Sequence, residues 1–356
     1  MRYKLLGKGG LRVSELCLGA MTFGEEWGFG SSKDESRKVF DAFVEAGGNF
    51  IDTANNYTVG TSEKYVGEFI ASERERFVLA TKYVSNMRRG DVNAGGSHRK
   101  NLVQSLEASL KRLNTDYIDV YWVHAWDFLT PVEEVMRALD DMVRAGKILY
   151  IGISDTPAWI VSQANTLAEL RGWTPFIGLQ VEYSLIQRTP ERDLLPMARA
   201  FDVGVTAWGA LGSGVLTGKY SKKNQQKKAL EPNRVTAIKE MLSEDWANAM
   251  LSDRNMSIAG EVQKIADEVG HSPAQVALSL VRQQKGIIIP IIGARKVSQL
   301  KDNLGCLDSE LTQEQLQRLD EKSKIELGFP HDFLASKEIR NIVYGDTLSL
   351  IDNHRS

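Results

Sequence analysis

Short apolar runs recur along the chain, and most are followed by a segment in which apolar residues repeat at helical spacing. After the third run, for example, Leu102, Leu106, Leu110 and Leu113 mark one face of a helix. Short apolar strands that alternate with such helices predict a parallel sheet covered by helices. The predicted strands are residues 15–19, 49–52, 77–81, 117–123, 147–153, 176–181, 203–207 and 286–289.

Eight strands alternating with eight helices predict an α/β fold of the closed (β/α)8 TIM-barrel type. The competing doubly wound sheet needs a glycine-rich turn after its first strand, and residues 20–24 lack one. Residues 3–14 are typical of an N-terminal β-hairpin. A long loop, about 212–254, follows the seventh strand. An extra helix capped by Thr312 and a tail follow the barrel.

We find no internal repeat and no interior linker, so we predict one domain over residues 1–356. The barrel is expected at about 15–306 and a C-terminal extension at about 312–356. Ser97 is predicted to cap the third helix. Four later helices are predicted to begin with a hydroxyl residue followed by proline. These starts are Thr130-Pro131, Thr156-Pro157, Thr189-Pro190 and Ser272-Pro273.

Composition and charge narrow the class of protein without naming an activity. The 356 residues are 42% hydrophobic and 25% charged, which is typical of a soluble globular chain that is long enough for one large core or two smaller ones. A net charge of −2 argues against nucleic acid or an anionic membrane as partner. The one local charge run, Lys222 to Lys228, is interpreted as a solvated loop. The longest apolar run, 287–292, is too short to span a bilayer.

The two cysteines and residues 1–8 indicate in which cellular compartment the protein is expected. Cys17 and Cys306 form no disulfide framework and no metal-ligand spacing, which suits a reducing cytosol. Residues 1–8 contain no apolar run of the kind found in signal peptides. We therefore expect a cytoplasmic protein without a metal site.

Four proton-active groups follow or lie close after predicted strands. Asp52, Lys82 and His124 stand where three successive strands end, and Tyr57 comes five residues after Asp52. In a barrel of this type the active site lies at the carboxyl ends of the strands. An ammonium beside a tyrosine is expected to lower the phenol's pKa, and a carboxylate fixes the ammonium. This set suits reduction of a carbonyl, with Tyr57 as general acid.

Each of these residues also has an ordinary structural explanation. A single aspartate at a strand end is commonly a helix cap, a lysine there is commonly solvated, and a histidine commonly makes a hydrogen bond of no catalytic importance. The joint occurrence of Asp52, Lys82 and His124 at three successive strand ends favours a shared site.

An ordered series of motifs from about residue 3 to 325 resembles the aldo-keto reductases, in the branch that contains aryl-alcohol dehydrogenases and potassium-channel beta subunits. The motifs are Phe50-Ile51-Asp52-Thr53-Ala54 with Tyr57, Ala80-Thr81-Lys82, Asp116-Tyr117-Ile118-Asp119 with Val123-His124, Gly152-Ile153-Ser154, Leu179-Gln180-Val181-Glu182-Tyr183 and Ile292-Gly293-Ala294-Arg295. The resemblance implies a catalytic tetrad of Asp52, Tyr57, Lys82 and His124. It gives His124 the role of orienting the carbonyl.

The same resemblance implies NADPH bound across the barrel, with NADH possible but less favoured. Arg295 matches the residue that meets the 2′-phosphate, whose oxygens suit a guanidinium. Trp208 matches a ring stacked on the nicotinamide. Asp155 stands where the family usually has asparagine, which weakens the expected contact with the carboxamide. The implied cofactor residues are Ser154, Asp155, Gln180, Trp208, Gly209, Leu211, Gly212, Ser213, Lys219, Gly293, Ala294, Arg295, Gln299 and Asn303.

Substrate and assembly are less constrained. Trp27 and Trp126 lie in predicted loops at the site and are candidate substrate contacts, whereas Trp122 and Tyr183 fit either a pocket wall or the core. An aromatic pocket would accept aryl aldehydes, quinone-like or polyketide ketones, or sugars. The tail from residue 328 could cover the site or meet another subunit. Monomer and homo-oligomer both remain open.

A second function belongs to another class. Potassium-channel beta subunits share the barrel and hold cofactor with little turnover, so a cofactor-binding regulatory subunit is the alternative. Those subunits resemble this motif but carry asparagine at the position of His124, which favours the enzyme here.

Overall fold

A computed structural model describes residues 1–220 and 243–352, without the side chain of Trp246. Eight parallel strands close into a barrel, which confirms the predicted fold class. Neighbouring strands pair in chain order, and the last pairs with the first, with Ile291 opposite Cys17. The barrel strands are β3 (Cys17–Gly19), β4 (Phe50–Asp52), β5 (Val78–Tyr83), β6 (Ile118–Val123), β7 (Ile148–Ser154), β8 (Phe176–Glu182), β9 (Gly204–Trp208) and β10 (Ile288–Ile292).

Helices cover the outside of the barrel. A main apolar core forms between them and the outward faces of the strands. Within the described residues, no helix is both long and apolar enough to cross a membrane. The α-helices are α1 (Lys33–Glu45), α2 (Thr61–Ile70), α3 (Arg99–Leu113), α4 (Val132–Arg144), α5 (Ala158–Arg171), α6 (Leu194–Ala200), α7 (Glu244–Met250), α8 (Asp253–Val269), α9 (Pro273–Arg282), α10 (Val297–Leu304), α11 (Gln313–Ser323), α12 (His331–Ala335) and α13 (Lys337–Tyr344).

The predicted N-terminal hairpin is present and covers the amino-terminal end of the barrel. Its antiparallel strands are β1 (Tyr3–Leu5) and β2 (Arg12–Ser14). Leu6 and Val13 are fully buried in a second apolar cluster that also contains strand-start residues such as Phe50. The Lys8 backbone amide donates to the Asp202 carbonyl at 2.7 Å. The hairpin therefore seals the end opposite the predicted site.

Trp122 fills the interior of the barrel and belongs to the same cluster. A methyl group added to Gly152 would overlap the indole ring, and one added to Gly178 would lie 2.7 Å from it. Two glycines on neighbouring strands thus make room for one large side chain. Tyr183 is also fully buried, and its hydroxyl donates to Glu191 at 2.6 Å. Both residues that fitted either pocket or core are therefore core residues.

Several predicted element bounds were wrong. The last barrel strand is Ile288–Ile292, later than predicted, because Gly286 adopts a left-handed φ of +95° and Pro290 is accommodated within the strand. His98 rather than Ser97 caps α3, and its ring accepts from the amide of Asn101. Where Thr130 was expected to cap α4, its hydroxyl donates to Asp127 instead.

The corresponding prediction for α5 was wrong for a similar reason. The Thr156 hydroxyl donates to the Ser154 carbonyl, and Pro157 is the cap residue. Ser272 caps α9 as predicted, in a reciprocal arrangement with Gln275. Thr189-Pro190 begins a 3-10 turn that precedes α6.

The segments around the barrel contain more helix than predicted. Helix α7 lies inside the expected long loop, and α12 and α13 lie in the tail. The lysine run from 222 to 228 lies outside the described residues. The assignment of one domain to residues 1–356 stays a prediction.

Candidate active site

Asp52, Tyr57 and Lys82 meet inside the carboxyl end of the barrel. The Lys82 ammonium lies between the other two, since it donates to Asp52 Oδ2 and, at 3.2 Å, to the Tyr57 hydroxyl. A third bond, of 2.8 Å, runs to the Thr53 carbonyl. Gln180 donates to the other oxygen of Asp52 at 3.2 Å. The ammonium is thereby held by three acceptors, one of which is the phenol.

Burial affects these groups in opposite directions. It lowers the pKa of the fully buried Lys82, but Asp52 and Tyr57 outweigh that effect and the net pKa lies above the ordinary lysine value. Burial raises the pKa of Asp52, against the opposing influence of Lys82. A carboxylate and an ammonium in direct contact stabilise each other's charge where water is excluded. Lys82 is therefore a positive charge fixed beside the Tyr57 hydroxyl.

The prediction that the pKa of Tyr57 is lowered was wrong. Burial of the phenol raises its pKa above the ordinary value, and Lys82 only partly offsets this rise, while Asp52 adds to it. The physical reason is that a phenolate loses more hydration inside the barrel than one ammonium restores. Tyr57 is consequently protonated at neutral pH, which is the form that an acid requires.

His124 lies against the edge of Tyr57, with ring centroids 5.8 Å apart and planes at 81°. Burial, helped by Lys82, lowers the pKa of His124 to about 3. The ring is neutral at physiological pH, so one ring nitrogen donates and the other accepts. Its Nδ1 is buried and lacks a hydrogen-bond partner among the described residues.

A buried network behind Lys82 was not predicted. Glu63 on α2 is fully buried and accepts from Thr81 at 2.6 Å and from Arg112 at 2.6 Å. Thr81 precedes Lys82 on β5, so this network ties the strand that carries the ammonium to two helices. The sequence signal that could have revealed this network is the position of Glu63, next to the apolar face of α2 that contains Tyr65 and Val66.

The two candidate substrate residues differ in position. Trp27 is partly exposed, and its ring centroid lies 6.1 Å from that of Tyr57 at 78° and 5.9 Å from that of Phe29. Trp126 is 9% exposed and belongs to the main apolar core. The structure thus brings Trp27 to the phenol and places Trp126 mostly in the core.

The residues expected at the nicotinamide lie at the ends of β7, β8 and β9. Ser154 is buried, whereas Asp155 is exposed and follows it in a left-handed conformation with φ +41°. Trp208 is partly buried, and its indole N–H donates to Asp155 Oδ1 at 3.1 Å. Gln180 donates one N–H of its amide to Asp52, which leaves its carbonyl oxygen and its second N–H for a ligand.

The segment after β9 turns repeatedly. Gly209, Gly212 and Ser213 have left-handed φ values of +67°, +53° and +52°. A 3-10 turn spans Gly212–Thr217, and Leu211 precedes it. Lys219 follows and is exposed. Such turning backbone presents peptide N–H groups on one side, which is how proteins commonly meet phosphates.

The residues expected at the adenosine end follow β10. Gly293 and Ala294 lead to Arg295, whose guanidinium has no ion-pair partner within residues 1–220 and 243–352. The Arg295 amide donates to Gln299 Oε1 at 3.0 Å, which fixes the start of α10. Asn303, one turn after Gln299, is buried. An unpaired arginine beside a strand end fits an anionic group such as a phosphate.

Groups of three or more potential metal ligands do not occur in the described part of the chain. The site is instead an ion pair, a phenol and a neutral imidazole at the mouth of a parallel barrel. That arrangement suits a barrel oxidoreductase that acts on carbonyl or alcohol groups.

The family model for the aldo/keto reductase family matches residues 15–324. Among curated relatives, a norsolorinic acid reductase of Aspergillus flavus is 37% identical over 340 residues, covering 93% of this chain and 83% of the relative. Norsolorinic acid reductase A of Aspergillus parasiticus is 38% identical over 335 residues, covering 91% and 81%. An aryl-alcohol dehydrogenase [NADP(+)] of Phanerodontia chrysosporium is 36% identical over 359 residues, covering 96% and 91%.

The chain belongs to the aldo/keto reductase family. It is an NAD(P)H-dependent oxidoreductase that acts on alcohol or carbonyl groups.

Proposed function

We propose that the chain reduces aryl aldehydes or aryl ketones with NADPH, and that Tyr57 is the general acid. The observation that carries this proposal is the Lys82 ammonium, held by Asp52 and in contact with the Tyr57 hydroxyl. The named activities of the relatives, on aryl alcohols and norsolorinic acid, support an aromatic substrate. Trp27, whose ring lies beside Tyr57, is the wall against which such a ring would pack.

Each residue of the tetrad has a defined task in this scheme. Tyr57 donates its phenolic proton to the carbonyl oxygen, and Lys82 stabilises the phenolate that remains. Asp52 keeps Lys82 charged and in place. The neutral His124 donates an N–H to the same carbonyl oxygen, provided its proton resides on the nitrogen that faces the substrate. In the reverse direction, Tyr57 as phenolate accepts the proton of an alcohol.

The residues at the barrel mouth fit a nicotinamide cofactor, which supplies the hydride when bound. We propose that Arg295 holds the 2′-phosphate, because its guanidinium is otherwise unpaired within the described residues. Trp208 is assigned to the nicotinamide ring, with Ser154 and the carbonyl oxygen of Gln180 at its carboxamide. The loop from Gly209 to Lys219 is assigned to the pyrophosphate. A cytosolic location suits two cysteines that are both unpaired and buried.

The proposal is tested by following NADPH absorbance with 4-nitrobenzaldehyde and with a panel of aryl and alkyl ketones. We expect consumption of NADPH that is faster with aryl than with alkyl carbonyls. A barrel that binds NADPH but consumes it with no member of the panel would contradict the proposal. It would favour the cofactor-binding regulatory subunit instead.

A further inference from the structure

We propose that Asp155 is a positioning residue that fixes the plane of the Trp208 indole at the mouth of the barrel. This inference rests on the proposed function, because it matters to the reaction only if Trp208 lies against the nicotinamide. It is carried by the hydrogen bond of 3.1 Å between the indole N–H and Asp155 Oδ1.

The backbone of Asp155 is bent to make this contact. Its φ of +41° lies in the left-handed region, which residues other than glycine, asparagine and aspartate rarely adopt. Asp155 directly follows β7, and its amide still donates to the Gln180 carbonyl at 3.2 Å. The chain thus leaves the sheet in a left-handed turn that aspartate tolerates, and the Asp155 carboxylate reaches the indole.

The other end of the contact is equally fixed. Trp208 is the last residue of β9, and its carbonyl accepts from the Tyr183 amide at 3.1 Å. An indole is rigid, so a side chain that is anchored both at its Cα and at its Nε1 retains little freedom about χ1 and χ2. The contact passes over β8, which lies between β7 and β9 in the barrel. It therefore ties together two strand ends that are not neighbours.

Three other ionisable groups interact with the Asp155 carboxylate. Lys82 on β5 stabilises the charged form of Asp155. The negative charge of Asp155 in turn disfavours the charged forms of Glu182 on β8 and of Tyr57, and so raises the pKa of each. Although Asp155 retains contact with solvent, nearby protein atoms desolvate its carboxyl group and raise its pKa above the ordinary aspartate value. Protonation would weaken the bond, because a charged acceptor holds an N–H more strongly than a neutral one.

The direct test uses indole N–H signals in protein labelled with ¹⁵N-tryptophan. The Trp208 signal is identified by its loss in Trp208→Phe. We expect Asp155→Ala to move that signal to lower proton shift and to accelerate its hydrogen exchange at least about threefold, as loss of a net hydrogen bond implies. Asp155→Asn, which keeps an acceptor without charge, should give an intermediate shift.

Glu182→Gln is the matched control, because Glu182 pairs with Trp208 across β8 and β9 and carries a negative charge, whereas the hydrogen bond of the indole N–H runs to Asp155. In wild-type protein and in Glu182→Gln, the Trp208 signal should titrate with acid, and in Asp155→Asn it should not. A Trp208 signal that is unchanged in Asp155→Ala, or that moves equally in Glu182→Gln, would overturn the proposal. These spectra need neither cofactor nor substrate, so their outcome is independent of whether the chain reduces carbonyls.

A double-mutant cycle on cofactor binding extends the test to the ligand. Asp155→Ala should weaken NADPH and NADH alike by about 3- to 10-fold, from the usual worth of one hydrogen bond. In the Trp208→Phe background, which keeps a ring but lacks the N–H, the same substitution should change affinity less than about twofold. Equal losses in both backgrounds would show that Asp155 acts on the cofactor directly and not through the indole.

Discussion

The two ends of the barrel interior are built from different chemistry. The hairpin end is closed by an apolar cluster. Trp122 belongs to this cluster and fills the space left by Gly152 and Gly178, but it also pairs with Lys82 across β5 and β6, and its side chain approaches Asp52. The opposite end holds the buried Asp52–Lys82 pair. A buried ion pair contributes little to stability compared with apolar residues of similar size. One end of the same barrel is therefore arranged for stability, and the other holds the groups that we propose for proton transfer.

The largest effect on stability is expected at the apolar end. Trp122→Ala should lower the free energy of unfolding by about 3–5 kcal/mol, because it removes a large buried ring and leaves a cavity. Denaturant unfolding followed by circular dichroism measures this loss. The folded fraction should retain the NADPH-over-NADH preference that we propose for the wild type. A loss below about 1 kcal/mol would mean that the ring does not support the barrel.

At the open end, substitutions should change ligand binding and leave stability nearly intact. Arg295→Ala is expected to weaken NADPH by about 10- to 150-fold, since it removes a charge-assisted phosphate contact of roughly 1.5–3 kcal/mol. NADH affinity should hardly change. Fluorescence titration with both cofactors measures the difference, and equal losses for the two would show that Arg295 does not contact the 2′-phosphate.

A smaller effect is expected when a methyl group is added inside the barrel. Gly152→Ala forces the indole of Trp122 to shift and should cost about 1–3 kcal/mol of stability. The matched control is Gly10→Ala, whose added methyl group would meet no atom within 4 Å. Neither Gly10 nor Gly152 has a left-handed φ, so the difference between the two substitutions measures the overlap alone. Recovery of stability in Gly152→Ala with Trp122→Leu would locate the overlap at the indole.

A pH-dependent effect on stability is expected from His124. The pKa of His124 is about 3 in the folded protein and about 6.5 in an unfolded chain. The unfolded chain therefore binds the additional proton between these values, and stability falls as pH falls through that window. His124→Asn should reduce the slope of unfolding free energy against pH between about 6.5 and 4. The same slope in both proteins would contradict a neutral, buried His124.

The sequence located the charged end better than the apolar end, for a physical reason. Asp52, Lys82 and His124 each follow a short apolar strand, and parallel strands bring their carboxyl ends to one side of a barrel. That Trp122 would fill the interior could not be predicted, because its space depends on glycines of two other strands. The hydrogen bond between Asp155 and Trp208 could not be predicted either, because it depends on the left-handed conformation of Asp155 after β7.

The directions of the pKa shifts also could not be predicted without the folded structure. The sequence placed an ammonium next to Tyr57 and led us to expect a lower phenol pKa. In the folded protein, burial of the phenol raises its pKa by more than the ammonium of Lys82 lowers it. Helices α7, α12 and α13 are short and lack the long apolar repeat that identified α3, so they were not predicted.

The most direct test of the central claim, that Tyr57 donates the proton, is single-turnover reduction of 4-nitrobenzaldehyde by Tyr57→Phe. The substitution removes one hydroxyl and keeps the ring that contacts Trp27 and His124. We expect turnover to fall by about 10²- to 10⁴-fold while NADPH affinity stays within about twofold of wild type. A variant that retains more than about a tenth of wild-type turnover would show that the proton comes from another group.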